Sequence, residues 1–133
     1  MSHCILNSNS KVEGLSNSPG IISEVMNLLM EKQIGIIQLP CPEMVVYGIK
    51  RWGHVREQFD TLFFREKCQD IIKPITYQLL DYVKNGYKVI GIIGVDGSPS
   101  CGVNLTCSGD WGGEFLGNID VLNKVTQLSQ VES

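Results

Sequence analysis

The order of patterns along the chain predicts an α/β domain, a three-layer, Rossmann-like arrangement whose mainly parallel sheet carries helices on both faces. Two short, very apolar runs rich in β-branched residues, 35–39 and 87–95, read as buried strands. Each follows a stretch in which apolar residues recur at helical spacing. Helix, strand, helix, strand with short joins implies right-handed crossovers and a parallel sheet covered by helices.

Taken in order, residues 7–18 are rich in Asn, Ser and Gly and read as a loop. Ser18-Pro19 is a helix start, with Ser18 as the capping residue and Pro19 in the first helical position. Ile21, Ile22, Val25, Met26, Leu28 and Leu29 carry that helix to about Gln33. Residues 35–39 form the first expected strand, ending at Pro40. A long amphipathic pattern over 55–85 runs through Phe59, Leu62, Phe63, Ile71, Ile72, Ile75, Leu79 and Val83. Pro74 interrupts it, which predicts a kink or two consecutive helices. Asn85-Gly86 ends the pattern, with Gly86 suited to a left-handed cap. The second strand, 87–95, is closed by Asp96-Gly97. A Gly-rich polar stretch follows to about Asn118, then a final helix is expected over 119–130.

At 133 residues the chain is a single domain, 1–133. Its 43% hydrophobic and 19% charged residues are enough to build a core. A net charge of −3 gives no basic footprint for a nucleic-acid backbone. No apolar stretch reaches the ~18 residues of a spanning helix. No leader pattern is present at the start, so a cytoplasmic location is expected. In a reducing compartment, five cysteines in no disulfide-framework spacing are ligands, nucleophiles or core residues.

Three of those cysteines are each expected in a different loop of special composition. They are Cys4 in Ser2-His3-Cys4-Ile5-Leu6-Asn7, Cys41 in Leu39-Pro40-Cys41-Pro42-Glu43, and Cys101 in Gly97-Ser98-Pro99-Ser100-Cys101-Gly102. Two of the segments directly follow an expected strand, and loops at the carboxyl ends of neighbouring parallel strands converge. Thiolates gathered in this way form a metal or cluster site, or a reactive-cysteine site. Prolines on both sides of Cys41 stiffen its backbone. Glu43 adds a carboxylate at the same strand end, and Ser98 and Ser100 place hydroxyls beside Cys101, with Ser100 expected to contact substrate. Cys68 falls on the stripe Cys68, Ile72, Ile75, Leu79 and is expected in the core. Cys107 is undecided and could complete a four-thiolate site. His3 adjoins Cys4 as a base or ligand candidate, and His54 reads as a loop residue. Three thiolates without compact zinc spacing suit a soft-ligand cluster with one open iron.

Together the three motifs, Ser-x-Cys-x-Leu, Cys-Pro-Glu and Ser-Pro-Ser-Cys-Gly, resemble the thiouracil desulfidase family, and most closely a short-chain subgroup of desulfidases related to those enzymes. The resemblance runs over nearly the whole chain. It implies an iron–sulfur enzyme that removes sulfur from thiolated pyrimidines without redox turnover and releases hydrosulfide. Cys4, Cys41 and Cys101 match the ligands of a [4Fe–4S] cluster with one iron not bound by protein. Glu43 and Ser98 match the positions given to acid/base work and to placing substrate or water. Family members carry an apolar strand before Ser-x-Cys and a further helix and strand at the other end, so this chain is expected to be shorter at both ends. Two other readings remain open: a non-catalytic carrier of a cluster, zinc or persulfide, and a metal-free sulfurtransferase with a cysteine nucleophile.

Overall fold

The computed structural model describes residues 1–109 and the backbone of Ser129–Gln130. These residues form helices α1 (His3–Leu6), α2 (Ser23–Glu31), α3 (Pro42–Tyr47), α4 (Arg56–Phe59) and α5 (Leu62–Lys84), and strands β1 (Gly91–Ile92) and β2 (Ser129–Gln130). A single 3-10 turn, Ser8–Ser10, follows α1. No helix among the described residues is long and apolar enough to cross a membrane.

The expected three-layer parallel sheet is not formed, and the described chain is mainly helical. Its one ladder is antiparallel and two residues long, pairing Gly91 with Gln130 and Ile92 with Ser129. A ladder needs backbones ~4.8 Å apart, but residues 34–37 and 87–93 line the two sides of a cavity of about 700 Å³. Leu29, Ile72 and Leu79 line it as well, and Ile36, Ile90 and Ile92 remain exposed. Met1 and Ser2 bridge the two runs at one end. The Met1 amine donates to Ile37 O (2.8 Å), Leu39 N to Met1 O (2.7 Å) and Ser2 N to Ile93 O (2.9 Å). This yields one isolated parallel bridge, Ser2 with Leu39, and no ladder between the two runs. β-Branched composition shows that a segment suits a sheet, but a neighbour at ladder distance decides whether one forms.

One helix boundary also differs from expectation. Gly20 takes φ +74°, and its carbonyl accepts from the Ser8 amide (2.6 Å) and the Ser8 hydroxyl (2.6 Å). A left-handed residue cannot continue a helix started at Pro19, so α2 begins four residues later than expected, at Ser23. Pro74 neither splits nor ends α5, which runs 23 residues through it. Thr61 Oγ1 accepts from Phe64 N (3.2 Å) at its start, and Gly86 takes the expected left-handed conformation, φ +85°, after its end. The helix expected over 119–130 lies outside the described residues, except at Ser129–Gln130, which are extended.

Two apolar groups hold the site between them. Ile5, Leu29, Ile93 and Val95 form a buried cluster on which Met1, Cys4, Ile22, Val25 and Ile34 pack. Buried Phe59 and Phe64 stack on each other (centroids 4.7 Å), and Tyr47 and His54 lie against them. The first group fixes α1 and the second fixes α3.

Candidate functional site

Each motif cysteine is placed by local chemistry. Cys4 lies in the short helix α1, not in a loop, and packs half-buried against the first core cluster. Cys41 is the capping residue of α3. Pro42 occupies the first turn, where a missing N–H is harmless, and Cys41 Sγ accepts from Met44 N at 3.5 Å. The same turn delivers Glu43, only 6% exposed, into the interior.

Cys101 sits in a loop folded back on residues 94–97. Buried Asp96 supplies one oxygen, Oδ1, to three backbone donors: Val103 (3.2 Å), Asn104 (3.1 Å) and Leu105 (3.3 Å). Ser98 Oγ accepts from Ser100 N (3.3 Å) and Cys101 N (3.1 Å), and Val95 N donates to Cys101 O (3.0 Å). Gly94 is required by this approach, because a Cβ there would stand 2.3 Å from Cys101 O. The Ser98 hydroxyl therefore orders the turn, while Ser100 reaches out of it.

The second and third motifs meet. Ser100 Oγ donates to Glu43 Oε2 at 2.5 Å and lies 3.6 Å from Cys101 Sγ. On the far side of Glu43 is Arg51, its side chain 4% exposed, with Nε 3.5 Å from Glu43 Oε1. At that separation the two form an ion pair but not a hydrogen bond, and Nε is left as a buried donor without a partner. Arg51 Nη2 donates to Ser10 O (2.8 Å) and approaches Cys41 Sγ (3.9 Å), and Nη1 donates to Gly48 O (3.3 Å).

The thiols also share an electrostatic neighbourhood. Burial pushes the Cys4 thiol up to about 12, and negative charge on Cys101 and Cys41 adds to the shift against an opposing Lys11. Cys41 is raised, mainly by burial, with Glu43 and Cys101 contributing and Arg51 opposing. Cys68, expected in the core, is half-buried and is raised by burial and by Cys101. Cys107 is raised by burial first and then by Glu43, and its Sγ donates to His54 O at 3.2 Å. No three His, Cys, Asp or Glu side chains among the described residues are grouped to hold a metal ion. His3 is turned to Gln38, and His54 stacks on Tyr47.

Arg51 and Asp96 are the members of the site that sequence reasoning missed. Asp96 was legible only as a turn residue. Arg51, beside Lys50 and Trp52, carries no signal separating it from a solvated surface charge.

An uncharacterized protein of Methanocaldococcus jannaschii is 44% identical over 103 residues, which cover 77% of this chain. The chain spans 65% of the length of that curated relative. No solved structure matches the chain. A family model described as "Putative 2-thiouracil desulfurase" matches residues 12–118, a span that includes Cys41, Glu43, Ser98, Ser100 and Cys101 and begins after Cys4. The chain belongs to this family.

Proposed function

We propose that the protein is an iron–sulfur desulfidase that hydrolyses the thiocarbonyl of a thiolated pyrimidine, a thiouracil-like nucleobase or nucleoside, and releases hydrosulfide. The observation that carries this reading is the buried Glu43 carboxylate, held by Ser100 beside Cys101 and two residues from Cys41.

Cys4, Cys41 and Cys101 are assigned to a [4Fe–4S] cluster with one iron free of protein ligands. The donor set suits such a group. Soft thiols from three separate segments sense one another's charge without converging on a single ion position. A cluster is several ångströms wide and offers each thiolate its own iron. When bound, it supplies an open Lewis-acid position for a soft sulfur ligand. Burial raises the Cys4 thiol, which would lose its proton on binding iron.

The chain's own groups handle protons and orientation. Glu43 Oε2 accepts a proton from the attacking water. Ser100 Oγ, already on that oxygen, places the water or the polar edge of the substrate. Ser98 keeps the Cys101 turn closed from behind. One C–O bond forms and one C–S bond breaks, so thiocarbonyl and water give carbonyl, hydrosulfide and a proton, with no electron transferred.

Anaerobic reconstitution with iron and sulfide, absorption spectroscopy and a sulfide-release assay on 2- and 4-thiouracil test the reading. Charge-transfer absorption together with sulfide release is the expected result. A loaded protein that releases no sulfide is a carrier, and sulfide release without iron would overturn the cluster assignment.

A further inference from the structure

We propose that Arg51 is a positioning residue of this site, acting through Glu43 and tying the Cys41 segment to the segment that follows α1. The inference rests on the desulfuration reading and assigns a role to a residue outside all three motifs.

The guanidinium is the only kind of side chain that fits the set of acceptors around it. It presents five N–H groups in a rigid planar fork, and here they face four acceptors in different directions. Ser10 O lies on the 3-10 turn after α1, Gly48 O closes α3, and Cys41 Sγ and Glu43 Oε1 stand at the head of α3. Glu43 in turn receives Ser100 of the third motif. One cation thus links the segment carrying Cys4, the segment carrying Cys41 and, through Glu43, the loop carrying Cys101. A charge this deeply buried persists only when paired and hydrogen-bonded.

The unpartnered Nε gives the arrangement its chemical point. In the free protein Glu43 Oε2 is occupied by Ser100, while Nε waits 3.5 Å from Oε1. A shift of about half an ångström brings that pair within hydrogen-bond range. When Ser100 turns toward substrate, Glu43 can exchange a hydroxyl donor for a guanidinium donor, so the carboxylate keeps its orientation during the proton transfer. Lysine, a point charge with no second or third fixed direction, cannot hold Ser10, Gly48 and Glu43 at once.

The test is a double-mutant cycle on the reconstituted protein with Arg51→Lys and Glu43→Gln, combined with amide exchange on the unloaded chain. Arg51→Lys is expected to lower kcat about 10- to 100-fold with KM little changed, the size of one or two charged hydrogen bonds. In the Glu43→Gln background the same substitution should cost less than about threefold, because the two residues act as one unit. Losses that multiply would overturn the proposal. In the unloaded chain, exchange at Lys11, Val45 and Gly48 should speed up together by about tenfold while the middle of α5 is unchanged. Unchanged exchange at Lys11 and Val45 would overturn the link between segments, even if wild type released no sulfide and the desulfuration reading had failed. If Arg51→Lys does not fold, Arg51→Gln is read in its place. Failure of both to fold would make Arg51 a structural cation and overturn the positioning role.

Discussion

Gly94→Ala is the sharpest probe of where the Cys101 loop sits. An added Cβ would stand 2.3 Å from Cys101 O and 2.5 Å from Val103 Cγ2, whereas real Cβ atoms keep at least 3.0 Å from their neighbours. The Val103 methyl can rotate away. The Cys101 carbonyl cannot, because it accepts from Val95 N at 3.0 Å while Cys101 N is held by Ser98 Oγ at 3.1 Å. The loop must therefore move by at least 0.7 Å, the gap between 2.3 and 3.0 Å. Gly94 does not have a left-handed backbone, so the substitution measures the clash alone. Overpacking of this kind costs ~1–3 kcal/mol, and a displacement approaching 1 Å at a reacting centre can cost ~10² in rate. The assay is a denaturant midpoint together with iron and sulfide content after anaerobic reconstitution, and both should fall. Gly35→Ala is the control. Nothing lies within 4 Å of its added Cβ and its φ is not positive, so it should be neutral or stabilise by ~0.4–1 kcal/mol. Wild-type stability and iron content in Gly94→Ala would refute the packing of Cys101 on residue 94, and with it the site built on that contact.

Further outcomes follow from the same geometry. Cys4→Ala, Cys41→Ala and Cys101→Ala should each lose iron on reconstitution while Cys68→Ala keeps it; full iron and sulfide content in Cys41→Ala would sink the three-ligand assignment. Glu43→Gln should retain iron and lose ~10²–10⁴ in sulfide release, the usual contribution of a general acid or base. Ser100→Ala should lose more activity than stability, and Ser98→Ala the reverse, because the Ser100 hydroxyl faces Glu43 while the Ser98 hydroxyl bonds within its own turn. The Glu57 carboxylate is pulled from 4.5 to about 2 by hydrogen bonds from the Ser108 hydroxyl and the Gly109 amide. A depressed acid stabilises above its ordinary value and loses that contribution as pH falls through the folded one. Protection of the Gly109 amide should therefore decline between about pH 4.5 and pH 2. Glu57→Gln should remove that decline, as read by amide exchange.

Local signals were legible wherever local chemistry decides the backbone. The α5 pattern and the break at Gly86 rest on residues within a few positions of one another. The sheet failed because pairing is not local. Residues 35–39 and 87–95 have strand composition, yet among the described residues they do not pair with each other: Met1–Ser2 bond to Ile37, Leu39 and Ile93, and Ser129–Gln130 pair with Gly91–Ile92. The late start of α2 has a similar cause. Ser18-Pro19 is a sound opening, but Ser8, twelve residues before Gly20, captures the Gly20 carbonyl and fixes a left-handed turn there.

The site divides along the same line. Prolines and glycines around Cys41 and Cys101 mark backbones built to hold a side chain in place, which singles out the two thiols, while Glu43 and Ser98 were picked out by the family resemblance of the motifs. Their mutual geometry was not legible. The sequence expected both serines at the chemistry, Ser98 placing substrate or water and Ser100 contacting substrate; in the structure the Ser98 hydroxyl accepts from its own turn and the Ser100 hydroxyl donates to Glu43. Arg51 and Asp96 were silent because each acts on backbone atoms, three N–H groups for Asp96 and two carbonyls for Arg51, and any sequence supplies those atoms. What distinguishes both is burial of a charge: Asp96 is 8% exposed and the Arg51 side chain 4%. A buried charge is retained only where it holds something in place, and both of these hold the segments on which the thiols ride.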